Sequence, residues 1–263
     1  MLRNILKRVA LLSLIMIGLG LILIYISNGR QLVEDSKKAS AYQIQALSEE
    51  YNISIQDLKK TLNILSVTYE DYVLNEASSK ADRASIEDRL LEVAKINDFI
   101  GVYFADKEGS LVSSFKVRMN VLNQKRPWFM EIMSGKEYFQ SDFYRSTTGD
   151  MVITVSMPIL SQGRKVGVVG LDIDATKLMQ DERDYILINK NGDVFSSNNS
   201  NSSLLGENVF LTNPEYIKLT EVPLIIGSTA VSKANLSDGN YLITKVDLSD
   251  EFIDSRVRFL GTV

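Results

Sequence analysis

A few side chains in this sequence have the chemistry to hold a small charged molecule. Asp172 lies in the run Gly167-Val-Val-Gly-Leu-Asp-Ile173, where every neighbour is apolar or glycine. A carboxylate there needs a partner, because burying it alone costs on the order of several kcal/mol. An ammonium group would serve. Arg126 and Trp128 flank Pro127 in Lys125-Arg-Pro-Trp-Phe-Met130. A guanidinium binds a carboxylate through two parallel hydrogen bonds, and an indole offers a flat wall with one N–H. Arg145, in Phe143-Tyr-Arg145, is a further cation that would attract a second anionic group if it points inward. Taken alone, Trp128 reads as a core residue under a short helix and Arg126 as a surface residue at its start. Asp174 reads as a helix cap before Ala175-Thr-Lys-Leu178.

What the chain lacks narrows the chemistry. Its 263 residues include no cysteine and no histidine. Disulfides, thiolate nucleophiles, zinc ribbons, imidazole bases and Ser-His-Asp triads are excluded. No nucleophile elbow stands in the sequence, and Asp181-Glu-Arg-Asp184 reads as a solvated link and not a metal site. The expectation is a protein that is not an enzyme and has no cofactor or metal. The net charge of -4 argues against nucleic acid, which requires a basic face. With 45% hydrophobic and 24% charged residues the chain folds.

The candidate residues must be positioned by a scaffold that begins at a membrane. Residues 9–26 carry no charge, close to the roughly 20 needed to cross a bilayer. Arg3, Lys7 and Arg8 precede this run, which puts the N-terminus in the cytoplasm and the bulk of the chain outside. The exit Tyr25-Ile-Ser-Asn-Gly-Arg30 lacks a small-x-small cleavage site, so the segment reads as an uncleaved anchor. Next, Leu47, Tyr51, Leu58, Leu62, Leu65 and Tyr69 form one stripe of a long helix. Such a stripe packs on a domain or pairs with a second copy, and beside an anchor it predicts a homodimer. Asn52-Ile-Ser-Ile55 is a candidate interruption, with Ser54 capping a restart. A second helix is expected over 86–95, capped by Ser85.

From Phe99 the period changes to two. Ile100, Val102 and Phe104 lead into Asp106-Lys-Glu-Gly-Ser-Leu-Val-Ser-Ser114, a strand, turn and strand. The pattern returns 83 residues later as Asn189-Lys-Asn-Gly-Asp-Val-Phe-Ser-Ser197, identical at four of nine positions. Each copy precedes a second hairpin. The first comprises 151–158 and 166–173 around Gln162-Gly163; the second comprises 224–231 and 241–246 around Ser237–Asn240. Pro127 fits the first turn of a short helix that Gly135 ends, and the polar run 196–203 reads as a loop. The fold class is therefore α+β, with two tandem units on antiparallel sheets.

The anchor, the long helix, Arg126-Pro-Trp-Phe129, Gly167-x-x-Gly-x-Asp172 and the repeated hairpin together resemble the double Cache (dCache) sensor domains of bacterial chemoreceptors and sensor kinases. The resemblance covers roughly residues 31–250. It implies a transmembrane helix over 9–27 after a cytoplasmic 1–8, and a long extracytoplasmic helix over 28–76. Two PAS-like (Cache) units follow, a membrane-distal, ligand-binding one over 77–178 and a membrane-proximal one over 179–250. Residues 251–263 then begin a truncated return to the membrane. It also implies that Arg126 and Trp128 hold a ligand carboxylate while Asp172 holds an ammonium.

The sequence departs from the family pattern elsewhere. A Tyr-x-Asp segment aligns with Phe143-Tyr-Arg145, which puts Arg145 where an acid is expected and Phe143 beside it. Val121 replaces an expected tyrosine, and Phe129 follows Trp128. The implied ligand is then a small anionic or zwitterionic metabolite bearing a carboxylate, with a plain α-amino acid less favoured. The implied function is a membrane-anchored extracytoplasmic sensor that relays binding through its long helix to a signalling partner. The alternative is an anchored adaptor with no small-molecule ligand.

Overall fold

The computed structural model describes residues 2–74, 80–145, 150–179 and 181–247. The polar start expected at 249–252 and the apolar run 259–263 lie outside the described residues, as do Thr147, Thr148 and Gly149. Helix α1 (Leu2–Thr68) is continuous and about 100 Å long at 1.5 Å per residue. The expected interruption at 52–55 is absent. The Ser54 hydroxyl bonds to the Glu50 carbonyl one turn back at 3.2 Å and does not cap a new helix. Ile44, Leu47, Tyr51, Ile55, Leu58, Leu62 and Leu65 are all buried on one face of α1. That stripe packs on the chain's own sheets, so it is not a seam for a second copy.

A turn at Tyr69 separates α1 from the short α2 (Glu70–Leu74). Helix α3 (Lys80–Ile96) starts earlier than the expected 86–95, and Ser85 is interior. The extra turns bring Arg83 to Glu87, with Nε to Oε1 at 3.1 Å. Glu87 is buried and also accepts bonds from Arg118. Burial alone would raise its pKa, but the Arg118 and Arg83 hydrogen bonds outweigh burial and hold it below the ordinary glutamate value.

The first sheet contains β1 (Gly101–Asp106), β2 (Leu111–Ser113), β3 (Phe139–Gln140), β4 (Tyr144–Arg145), β5 (Met151–Ser161) and β6 (Arg164–Asp174). Its order is β2-β1-β6-β5-β3, with β4 also on β5, and all pairs are antiparallel. The second sheet contains β7 (Tyr185–Ile188), β8 (Val194–Ser197), β9 (Leu224–Ile226), β10 (Thr229–Asn235) and β11 (Tyr241–Asp247), in the order β8-β7-β11-β10-β9. The repeated nine-residue motif is the β1–β2 hairpin in one sheet and β7–β8 in the other. Asp106 and Asn189 do the same work in the two turns, each accepting the backbone N–H four residues on, at 2.8 and 2.9 Å.

Two expectations in the second sheet need correction. The predicted strand 224–231 is two strands, because Gly227 takes φ +63° and folds the chain back. The run 196–203 is not a loop: Ser196 and Ser197 complete β8, and a 3-10 helix follows (Asn199–Leu204).

Alternation along the strands gives each sheet two apolar faces. In the first, Phe104, Val155, Val169 and Leu171 face the helices, while Tyr103, Ala105 and Val168 face α4 (Pro127–Met133). Helix α1 crosses both sheets, and a polar junction ties the three parts together. Asp238, in the β10–β11 turn, accepts hydrogen bonds from Tyr51 of α1 and from Gln140 of β3, the latter at 2.7 Å.

Candidate functional site

The face of the first sheet away from α1 carries a cleft of about 230 Å³. Its floor is built by cross-strand register. Tyr103 on β1 lies opposite Gly170 on β6, and Thr154 on β5 lies opposite Asp172. A Cβ at Gly170 would come within 2.3 Å of the Tyr103 ring. Glycine is required there so that the ring can lie across β6. The Tyr103 hydroxyl then reaches Asp172 Oδ1 at 2.7 Å, and the Thr154 hydroxyl reaches the same oxygen at 2.6 Å. Tyr144 adds its hydroxyl 3.1 Å from that of Thr154.

Both donors to Asp172 converge on Oδ1, which leaves Oδ2 as the acceptor for an incoming group. Burial raises the Asp172 pKa above the ordinary aspartate value. The Thr154 and Tyr103 hydrogen bonds and the charge of Arg126 pull it back only in part. Asp174, two residues on, is the cap expected, accepting from the Thr176 backbone N–H at 3.0 Å.

The opposite wall comes from α4 and the segment before it. Pro127 opens α4 as the sequence predicts, and Arg126 is its extended N-cap residue. Ser156 holds the helix on β5 by donating to the Trp128 carbonyl at 2.9 Å. The Trp128 ring packs on Tyr103 with centroids 4.8 Å apart. Arg126 is exposed at the cleft's edge, its Nε bonded to Gln124 at 3.1 Å. The remaining wall is apolar, formed by Leu111, Phe115, Val117, Met119 and Val121.

Arg126, Trp128 and Asp172 thus come together around one cleft, although 46 residues separate the first from the last in sequence. Three other expected site residues do not join them. Phe129 is buried under α4. Phe143 stacks on Phe195 of β8 at 4.7 Å. Arg145 is exposed and its guanidinium lies against Gly206. The cause is strand alternation: Tyr144 pairs with Val152, which shares a face with Thr154, so its neighbours 143 and 145 face the other way.

Tyr103 and Thr154 are the residues that sequence reasoning missed. A signal existed for one of them. In Met151-Val-Ile-Thr-Val-Ser156 the two polar residues stand two apart, marking one polar face on an apolar strand. Among the described residues no group of three acidic side chains is placed to hold a metal.

Comparison with known proteins gives these features relatives. Residues 26–253 match the Cache domain family dCache_1. Toxin coregulated pilus biosynthesis protein I of Vibrio cholerae is 24% identical over 219 residues, 80% of this chain and 34% of that protein. The chain therefore spans about a third of the length of the curated relatives it matches. The sensory domain of the Campylobacter jejuni chemoreceptor Tlp3 with isoleucine bound superimposes with a TM-score of 0.63 at 15% identity. The match covers 84% of this chain and 96% of that one. The ligand-binding domain of the Pseudomonas aeruginosa amino acid chemoreceptor PctC in complex with GABA gives a TM-score of 0.60 at 14% identity. It covers 81% of this chain and 100% of that one. At such identities the likeness shows the fold alone.

Proposed function

The chain belongs to the Cache domain family, and from that premise we propose that it is a membrane-anchored sensor whose first sheet binds a free α-amino acid. One observation carries the reading. A carboxylate with an open oxygen, Asp172, shares a cleft with a guanidinium, Arg126, and an indole, Trp128. That set matches an ammonium at one end and a carboxylate at the other. The sequence disfavours an α-amino acid because Arg145 and Val121 stand where an acid and a tyrosine are expected. The Arg145 guanidinium lies against Gly206, so it brings no second cation to the cleft, and Asp172 alone is left to face the ammonium. In this reading residues 9–27 anchor the chain, the first unit lies distal to the membrane, and α1 relays occupancy through a shift between two arrangements. The long apolar N-terminal helix supports the anchor.

Titration of the full chain in micelles with a panel of free amino acids tests this. At 100 times its dissociation constant a ligand adds about 2.7 kcal/mol of stability. Arg126→Ala should weaken binding about ten- to hundredfold, the worth of one charge-assisted hydrogen bond. A ligand that keeps its affinity in this variant rules out the assigned site, and a chain that none of the panel stabilises favours the adaptor reading.

In this reading the homodimer uses the outer face of α1. Tyr42, Ile53 and Ile64 are exposed there, at intervals of eleven residues. Eleven residues make about three turns, so the three lie in one line along the helix. Because the chain has no native cysteine, single cysteines can be placed freely. Disulfide crosslinks are expected at 42, 53 and 64 and not at 47, 58 or 62. The opposite pattern, or none, would rule out this seam.

A further inference from the structure

The edge strand β2 brings one more group to the cleft. Leu111 and Ser113 share a face with Tyr103, while Val112 turns to the helices. Ser113 lines the cleft in the company of Leu111, Val117 and Met119. It is fully buried, and its hydroxyl has no hydrogen-bond partner among the described residues. Nearby serines are satisfied locally. Ser114 accepts from the Val102 N–H at 3.1 Å, and Ser156 donates to the Trp128 carbonyl. The other two buried hydroxyls without a partner, on Ser197 and Thr244, belong to the second sheet. A buried hydroxyl left unpaired destabilises the fold, so one that lines a binding cleft calls for a partner from outside the chain.

We propose that Ser113 determines specificity in this cleft, by hydrogen bonding to the polar end of an extended ligand side chain. The inference rests on the amino-acid reading of the site. Its length scale comes from the sheet. Ser113 on β2 is two strands from Asp172 on β6, and the register sets it two residues along, because Ser113 pairs with Tyr103 while Asp172 pairs with Gly101. Strand spacing and rise put the two Cα positions about 12 Å apart. Both side chains stand off the same face of the sheet, so their polar ends lie about as far apart as the Cα positions, and a hydrogen bond of about 2.8 Å at each end leaves about 6 Å for the ligand. That is about the distance from the ammonium to the terminal amide in extended glutamine. Isoleucine and valine side chains stop short of Ser113. The Leu111, Val117 and Met119 wall suits the methylenes between the polar ends.

The test compares L-glutamine with L-norleucine, whose chain is similar in length and ends in a methyl. Wild-type full-length protein should bind glutamine at least about tenfold more tightly. Ser113→Ala should remove that preference by weakening glutamine alone, and Ser113→Thr, which keeps a hydroxyl, should restore it. A wild type that prefers norleucine, or a Ser113→Ala that weakens both ligands equally or neither, overturns the role of Ser113. If neither amino acid binds while another of the panel does, the role of Ser113 is overturned and the site stands; if none of the panel binds, or if Arg126→Ala leaves glutamine binding intact, the reading of the whole site fails along with it.

Discussion

Asp172→Asn is expected to do two opposite things: weaken amino-acid binding severely and stabilise the empty protein at neutral pH. The first effect follows from charge pairing. Asparagine can still accept the Tyr103 and Thr154 hydrogen bonds at Oδ1, so the floor of the cleft keeps its shape. It offers no charge to the ligand ammonium. Removing one member of a desolvated charge pair costs about 2–5 kcal/mol, or roughly 30- to several-thousandfold in affinity.

The second effect follows from linkage. Burial raises the Asp172 pKa in the folded state above its unfolded value. The folded protein therefore holds this proton more tightly than the unfolded chain. The resulting stability is fully present below the ordinary aspartate value and is lost as pH rises to the raised one. Asparagine has no such loss. Chemical denaturation should then find the variant more stable than wild type at pH 7, with the difference shrinking at pH 4. Wild-type affinity for an amino acid should also fall as pH drops through the raised value, because the protonated acid no longer attracts an ammonium. A variant less stable than wild type at pH 7 by a margin that vanishes at pH 4 would mean that Asp172 stabilises the fold as an ion. That would remove the argument for a poised binding carboxylate.

Leu62→Ala should lower the stability of the folded unit by about 2–5 kcal/mol, the cost of a fully buried leucine with the cavity it leaves. Leu62 has no exposed surface and belongs to the apolar cluster shared by α1 and the first sheet. Since that burial lies within one chain, the loss should be the same at every protein concentration. Ile53→Ala, on the outer face, should cost little in stability and act only through association. Urea denaturation over a hundredfold range of concentration separates the two. A Leu62→Ala deficit that disappears at high concentration would return the inner stripe to a helix–helix seam.

Much of this protein is written locally. The change from a period of 3.6 to a period of two near Phe99 marks where helices give way to sheet. The repeated Asp/Asn-Lys-x-Gly turn marks two sheets of the same order, because the same short-range turn chemistry closes each hairpin. Pro127 and Asp174 mark element starts for reasons contained within three residues. Asp172 could be picked out because a carboxylate among apolar neighbours is costly wherever the strand lies.

The tertiary structure decided matters that depend on distant partners. Periodicity puts Leu47, Leu58 and Leu62 on one face of α1 but does not say what covers that face; the answer is the chain's own sheets. The two-residue strand β4 is too short to have a period of its own, and its facing is borrowed from β5. Tyr144 therefore enters the cleft while Phe143 and Arg145 leave it. Tyr103 and Ser113 are ordinary strand residues until the β1–β6 and β1–β2 registers place one over Gly170 and the other at the apolar end of the cleft. Register is a long-range property set by how the faces pack, and a one-residue slip would turn each of these side chains to the opposite side.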